Sequence, residues 1–295
     1  MSPERPVRGE RANATRWSLA APRKRWRAGM AAVLLGALAF GAASLASSTP
    51  NGERDWVPQQ AVLASVEFDG DSVHIRNVRN FSYVSESEFT PAYYDRSYDL
   101  SKLESAWFVL TPFYGWWRGP GHTLVSFGFS DSTFVSVSVE ARREKGEEYG
   151  PIKGMFRRYE LMYVIGDERD LIGLRGRFGT YPVYLYPIRG DRVRMRQVFV
   201  EMLTRAEELR GRPEFYNTLT NNCTSNVVMH VNGVAPGRVP GGLKTILPGY
   251  TDDVAHRLGL IETDLEIESA RERFAVNQRA RRYHDDPRFS WRIRQ

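Results

Sequence analysis

The chain has 295 residues, 12% of them aromatic, with five histidines and a single cysteine, Cys223. One cysteine has no partner for an internal disulfide, so a disulfide-stapled fold is excluded. The net charge is +6, but residues 1–46 hold eight Arg or Lys against two Glu and account for all of it. Residues 47–295 are neutral overall, which argues against a nucleic-acid surface and predicts no nucleic-acid partner.

Residues 1–27 are polar and Arg-rich, ending in Arg23, Lys24, Arg25 and Arg27. The uncharged run Ala28–Ala46 follows, just long enough to cross a bilayer. Its basic N-terminal flank predicts that end in the cytoplasm and the rest of the chain outside, in the periplasm of a bacterium. A single-pass inner-membrane anchor and a cleaved signal both fit, because Ser44 and Ala46 satisfy the small-residue rule for cleavage. The run has no cysteine for lipid attachment. Residues 47–60 read as a linker, 61–262 as the exported domain and 263–295 as a C-terminal helix with a basic tail.

Within the domain, Val62–Phe68 and Val73–Val78 alternate around Asp69-Gly70-Asp71, a hairpin signal. Residues 79–100 are aromatic and acidic and read as irregular. Lys102–Leu110 fits strand or helix, and 112–121 is a Pro/Gly/aromatic loop containing Trp116 and Trp117. Two strands then flank Ser130-Asp131-Ser132. If that turn has three residues centred on Asp131, paired positions sum to 262 and His122 lies opposite Glu140 on one face. Met155–Ile165 and Tyr181–Ile188 are further strands, and Arg194–Arg210 is an amphipathic helix. A helix follows Asn222 and ends near Asn232-Gly233. Asp252–Leu258 and Asp264–Tyr283 read as helices, and the final residues as a loose tail whose arginines are a solvated face. Hairpins first and helices later predict an α+β fold with an antiparallel sheet and packed helices.

Cys223 stands where the polar turn Thr218–Asn222 runs into an apolar helix. A helix N-terminus favours the thiolate, the reactive form; a free cysteine is equally at home as a small buried apolar residue. A thiol nucleophile needs a base, and the base an orienting group. His230 is two helical turns from Cys223, roughly 10 Å away. His74, His256 and His284 fall on polar or exposed stretches. His122, which follows the Pro120-Gly121 turn, is left as the base, with Glu140 to orient it. Asn221, Asn222 and Thr224 flank the thiol and, with Trp116 and Trp117 beside His122, make up the substrate and oxyanion region. No zinc-ligand spacing, phosphate-cradling glycine loop or Gly-x-Ser-x-Gly is present, so no metal or cofactor is expected. Asp167, Glu168 and Asp170 read as a solvated turn.

The strings GHTLVSFGF, SVEARREKGEEYGP, YELMYVIGDERDLIGLR and FYNTLTNNCTSN, in that order, resemble the Lnb N-terminal periplasmic domain family, from about Arg79 to about Leu260. The resemblance implies lipoprotein N-acylation by a cysteine and a histidine, which fall here on Cys223 and His122. The His-before-Cys order is also similar to permuted papain-like enzymes of the NlpC and lecithin:retinol acyltransferase kind, implying that core. The function expected is a membrane-anchored thiol acyltransferase acting on phospholipid and lipoprotein substrates. A cysteine amidase or peptidase acting on cell-wall peptide, and a non-catalytic envelope scaffold, are the alternatives.

Overall fold

The computed structural model describes residues 49–113, 118–242 and 247–295, together with Met30, Ala31, Val33, Leu35 and Gly36 from a helical stretch upstream. The chain divides into two compact units, Met1–Ser48 and Thr49–Gln295. The apolar run Ala28–Ala46 lies largely outside the described residues, as do Trp116 and Trp117. Among the described residues no helix is long and apolar enough to cross a membrane.

In the second unit the strands are β1 (Ser65–Asp69), β2 (Ser72–Arg79), β3 (Ser82–Tyr83), β4 (Phe89–Thr90), β5 (Tyr93–Asp99), β6 (Leu103–Pro112), β7 (Gly121–Phe129), β8 (Phe134–Arg142), β9 (Glu160–Gly166) and β10 (Tyr184–Pro187). The helices are α1 (Pro151–Gly154), α2 (Glu168–Phe178), α3 (Arg192–Gly211), α4 (Cys223–Val234), α5 (Thr251–Arg257), α6 (Ile267–Phe274), α7 (Asn277–Arg282) and α8 (Phe289–Arg292). One sheet runs β1-β2-β9-β8-β7-β6-β10, with β5 also on β2. Its pairings are antiparallel except for a single parallel bridge, Arg79 to Gly166. The fold is α+β, as expected.

The central strands are buried on both faces, so nearly every residue of β7 is inside. Alternation divides it. Val125 and Phe127 pack with Phe199, Met202 and Leu203 of α3 and with Cys223 and Val227 of α4. Leu124 faces the other layer, where Leu171 and Ile172 of α2 meet Phe289 and Ile293. The β7–β8 turn has the expected three residues, closed by Phe129 N–H donating to Thr133 O at 2.9 Å, with Ser132 at φ +65°. The pairs Leu124–Ser138 through Gly128–Phe134 hold the expected register.

Several expectations are corrected. Residues 93–99 are not irregular but a strand of the main sheet. Met155–Tyr159 is turn rather than strand, and β9 begins at Glu160. The expected Asp264–Tyr283 helix is broken, because Val276 N–H donates to Val183 O at 2.9 Å and draws the chain onto the end of the sheet. Asp167, Glu168 and Asp170 are not a solvated turn. Asp167 caps α2, and Glu168 and Asp170 are fully buried against Arg294 and Arg79. The tail is not loose either, since Phe289 and Ile293 fill the second core. Nor is its charge simply a solvated face, because Arg271 is buried against Asp252 at 3.0 Å.

Candidate functional site

Cys223 is the first residue of α4. Asn222 caps that helix through a reciprocal box. Its side chain accepts from Ser225 N–H at 2.8 Å, and its own N–H donates to Ser225 Oγ at 2.8 Å. The turn before it is locked by a double backbone bond between Asn217 and Asn221, 2.9 Å each way. The sequence therefore stops the chain, caps it and delivers the thiol at the end of the helix where amide N–H groups point outward.

His122 is the second residue of β7. Alternation assigns it to the α2 side of the sheet, whereas α4 lies on the other. Each stands at the starting end of its element, and the two side chains are near enough that each shifts the pKa of the other. Backbone pairing between β7 and β8 stops at Leu124–Ser138, two positions before His122 and Glu140. Gly249 holds the strand start in place. Its N–H donates to Gly119 O at 3.1 Å, and a Cβ there would fall 1.2 Å from Arg118 O.

The expected His122–Glu140 pairing is present, with Nε2 and Oε1 3.2 Å apart. Ser138, on the same strand face, adds a second path. Its hydroxyl lies 2.8 Å from His122 Nε2 and donates to Glu140 Oε1 at 2.7 Å. With the hydroxyl proton on Glu140, His122 Nε2 is the donor to Ser138. Arg175 from α2 donates to the same Glu140 oxygen at 3.1 Å.

The electrostatics follow from these contacts. Burial pulls the His122 pKa down, but the Glu140 carboxylate and Cys223 together raise it, and the net is a rise from 6.5 to about 9. Burial pushes the Glu140 carboxyl up, yet His122, Arg175 and Ser138 hold it well below the usual carboxylate range. Burial likewise raises the Cys223 thiol, but His122 and the N–H and hydroxyl of Thr123 bring it below its ordinary value. The resting pair is thereby biased toward thiolate and imidazolium, the state in which a cysteine attacks. Both side chains are buried.

Of the flanking residues, Asn222 spends its side chain on the cap and on Thr218 O at 2.6 Å. Asn221 donates to Phe215 O at 3.0 Å and accepts from Asn226 at 2.9 Å. Their side chains build the turn; the groups that face outward at the thiol are the amides of the first helical turn. Thr224 Oγ1 lies 3.4 Å from Thr123 Oγ1, joining α4 to β7. Sequence reasoning missed Ser138, Arg175 and Thr123, and also Tyr216, a phenol buried in the same core as Cys223. Ser138 was within reach, because it shares a strand face with Glu140. Of the other histidines, His230 belongs to a separate buried cluster with Tyr163 Oη at 2.8 Å. Among the described residues no three His, Cys, Asp or Glu side chains gather to hold a metal ion.

A cavity of about 360 Å³ runs along α4, within the size range of ligand pockets. Thr123 and Thr224, chain neighbours of His122 and Cys223, form part of its wall; the dyad itself lies one residue beyond. The wall continues along α4 through Val227, Val228, Val231 and Val234, with Phe108 and Phe127 opposite. From Thr224 to Ala235 the helix rises roughly 16 Å. Arg189, Arg194 and Arg238 line part of the wall as well.

A family model described as the Lnb N-terminal periplasmic domain matches residues 89–249, more than half of the chain. The chain belongs to that family. No curated protein and no solved structure matches it.

Proposed function

We propose that this periplasmic domain is a thiol acyltransferase that moves an acyl chain from a phospholipid, through a thioester on Cys223, to an amine such as a lipoprotein N-terminus. The observation that carries the reading is the apolar cavity along α4, which starts at the neighbours of both dyad residues. Arg189, Arg194 and Arg238 are the charged side chains in a wall that is otherwise mostly apolar, and that apolar area suits an acyl chain better than a cell-wall peptide.

In this reading the Cys223 thiolate attacks the ester carbonyl carbon. The amides of Cys223 and Thr224 receive the negative charge that develops on the carbonyl oxygen. The C–O bond then breaks, the His122 imidazolium gives its proton to the departing glycerol oxygen, and a lysophospholipid leaves. The acceptor amine next attacks the thioester, His122 takes the amine proton, and the C–S bond breaks to return the thiolate. Glu140, with Ser138 between, keeps the imidazole oriented through both steps. Burial of the dyad limits competing attack by water, which suits transfer over hydrolysis. The helix-borne cysteine and strand-borne histidine fit a permuted papain-like core, and Ala28–Ala46 would anchor the domain at the inner membrane where donor and acceptor both reside.

Filling the cavity tests the reading. Val231→Phe should lower turnover of long-chain donors about tenfold or more while sparing short-chain donors, since overpacking costs about 1–3 kcal/mol. Equal effects on both chain lengths would count against an acyl site.

A further inference from the structure

Four exposed apolar side chains lie on segments that pack together at one corner. Ile152 is 70% exposed and Phe156 56%, and Tyr149 and Leu219 are exposed beside them in sequence or structure. They come from α1 with its flanks and from the 217–220 turn, and these segments are tied together. Thr218 N–H donates to Gly154 O at 3.2 Å, Thr218 Oγ1 to Pro151 O at 2.7 Å, and Asn217 Nδ2 to Met155 O at 3.3 Å. The packing is close, for a Cβ on Gly154 would meet Thr218 Oγ1 at 2.3 Å. The same turn leads into the Asn222 cap and Cys223. Tyr149 Oη lies 3.3 Å from Tyr216 Oη, and Tyr216 is buried in the same core as Cys223. Bases outnumber acids at this corner: residues 147–158 contain Lys153, Arg157 and Arg158 against Glu147 and Glu148. Arg158 pairs with Glu147, whereas Lys153 makes no ion pair among the described residues.

We propose that α1 and the 217–220 turn form a foot that seats on an anionic phospholipid surface, with Ile152, Phe156 and Leu219 entering the interface and Lys153 and Arg157 meeting the headgroups. Contiguous exposed apolar area rimmed by polar residues marks an interaction surface. Basic residues beside apolar and aromatic ones suit the headgroup zone of an anionic leaflet. The foot is joined directly to the Cys223 turn, so its docking would bring the thiol close to the lipid. The proposal stands on exposure and charge and does not depend on the thioester chemistry.

The test uses the full chain with Cys223→Ser and Ile152→Cys, carrying one environment-sensitive fluorophore, in nanodiscs of phosphatidylglycerol and phosphatidylethanolamine. A matched protein labelled at Val193→Cys, exposed beside the far end of α4, is the control. The label at 152 should shift to the blue and be quenched by spin-labelled lipid, and the control should do neither. Neutral phosphatidylcholine nanodiscs, or Lys153→Glu, should diminish the effect. A 152 label that stays water-exposed in both lipids overturns the proposal, as does one shielded only when a protein acceptor is added. Quenching at 152 without any acyl adduct on the cysteine-intact protein would contradict the acyl-transfer reading alone.

Discussion

One oxygen, Glu140 Oε1, receives His122 Nε2 at 3.2 Å, Ser138 Oγ at 2.7 Å and Arg175 Nη2 at 3.1 Å. His122 and Arg175 therefore oppose each other through it. The carboxylate raises the His122 pKa and the guanidinium lowers it. Glu140→Gln should move the alkaline limb of the activity profile down from about pH 9, and Arg175→Met should move it up. Profiles of kcat/KM that shift in the same direction for both would refute this division of roles. The same pair makes folding stability depend on pH. The raised His122 contributes fully below 6.5 and loses its contribution as pH rises through about 9. The depressed Glu140 contributes above 4.5 and loses its contribution as pH falls. The stability gap between wild type and Glu140→Gln, from urea titrations, should therefore be widest between 4.5 and 6.5 and narrow toward pH 9.

At the scale of elements, the site depends on where two of them begin. The capping box sets the first turn of α4, and Asn222→Ala should lower stability by about 1 kcal/mol, read by chemical denaturation. Slower alkylation of Cys223 should accompany that loss, because the thiol loses its fixed place against His122 and Thr123. The β7–β8 register was legible in the sequence because both flanks alternate cleanly and the turn is short. That register alone was enough to bring His122 to Glu140 on one face. The start of α4 was legible from the Asn-rich turn before an apolar run. Helix α2 was not legible. Its acids look solvated in sequence, and the arginines that bury them are 91 residues before and 126 residues after. Arg175 was hidden with the helix that carries it. Strand β5 was hidden because its partner is the far edge of β2, and its exposed Asp95, Arg96 and Ser97 lack an apolar signature.

At the scale of the molecule, two of the buried apolar clusters of residues 49–295 lie on opposite faces of one sheet, and each half of the site depends on one of them. The core under α3 and α4 carries the thiol, and the core under α2 carries Arg175. The C-terminal residues close the second core. Phe289→Ala should cost roughly 3–5 kcal/mol, measured by thermal or urea unfolding, even though a loose tail would tolerate it. The central claim, that Cys223 carries an acyl group between two substrates, is tested most directly by intact-protein mass spectrometry. The purified full chain is incubated with a phospholipid of defined chains, without an amine acceptor. A mass increase of one acyl group on Cys223 is expected, absent in Cys223→Ser and discharged when a diacylated lipopeptide amine is added. Donor lipid consumed with no adduct on Cys223, or an adduct that persists in Cys223→Ser, would contradict it.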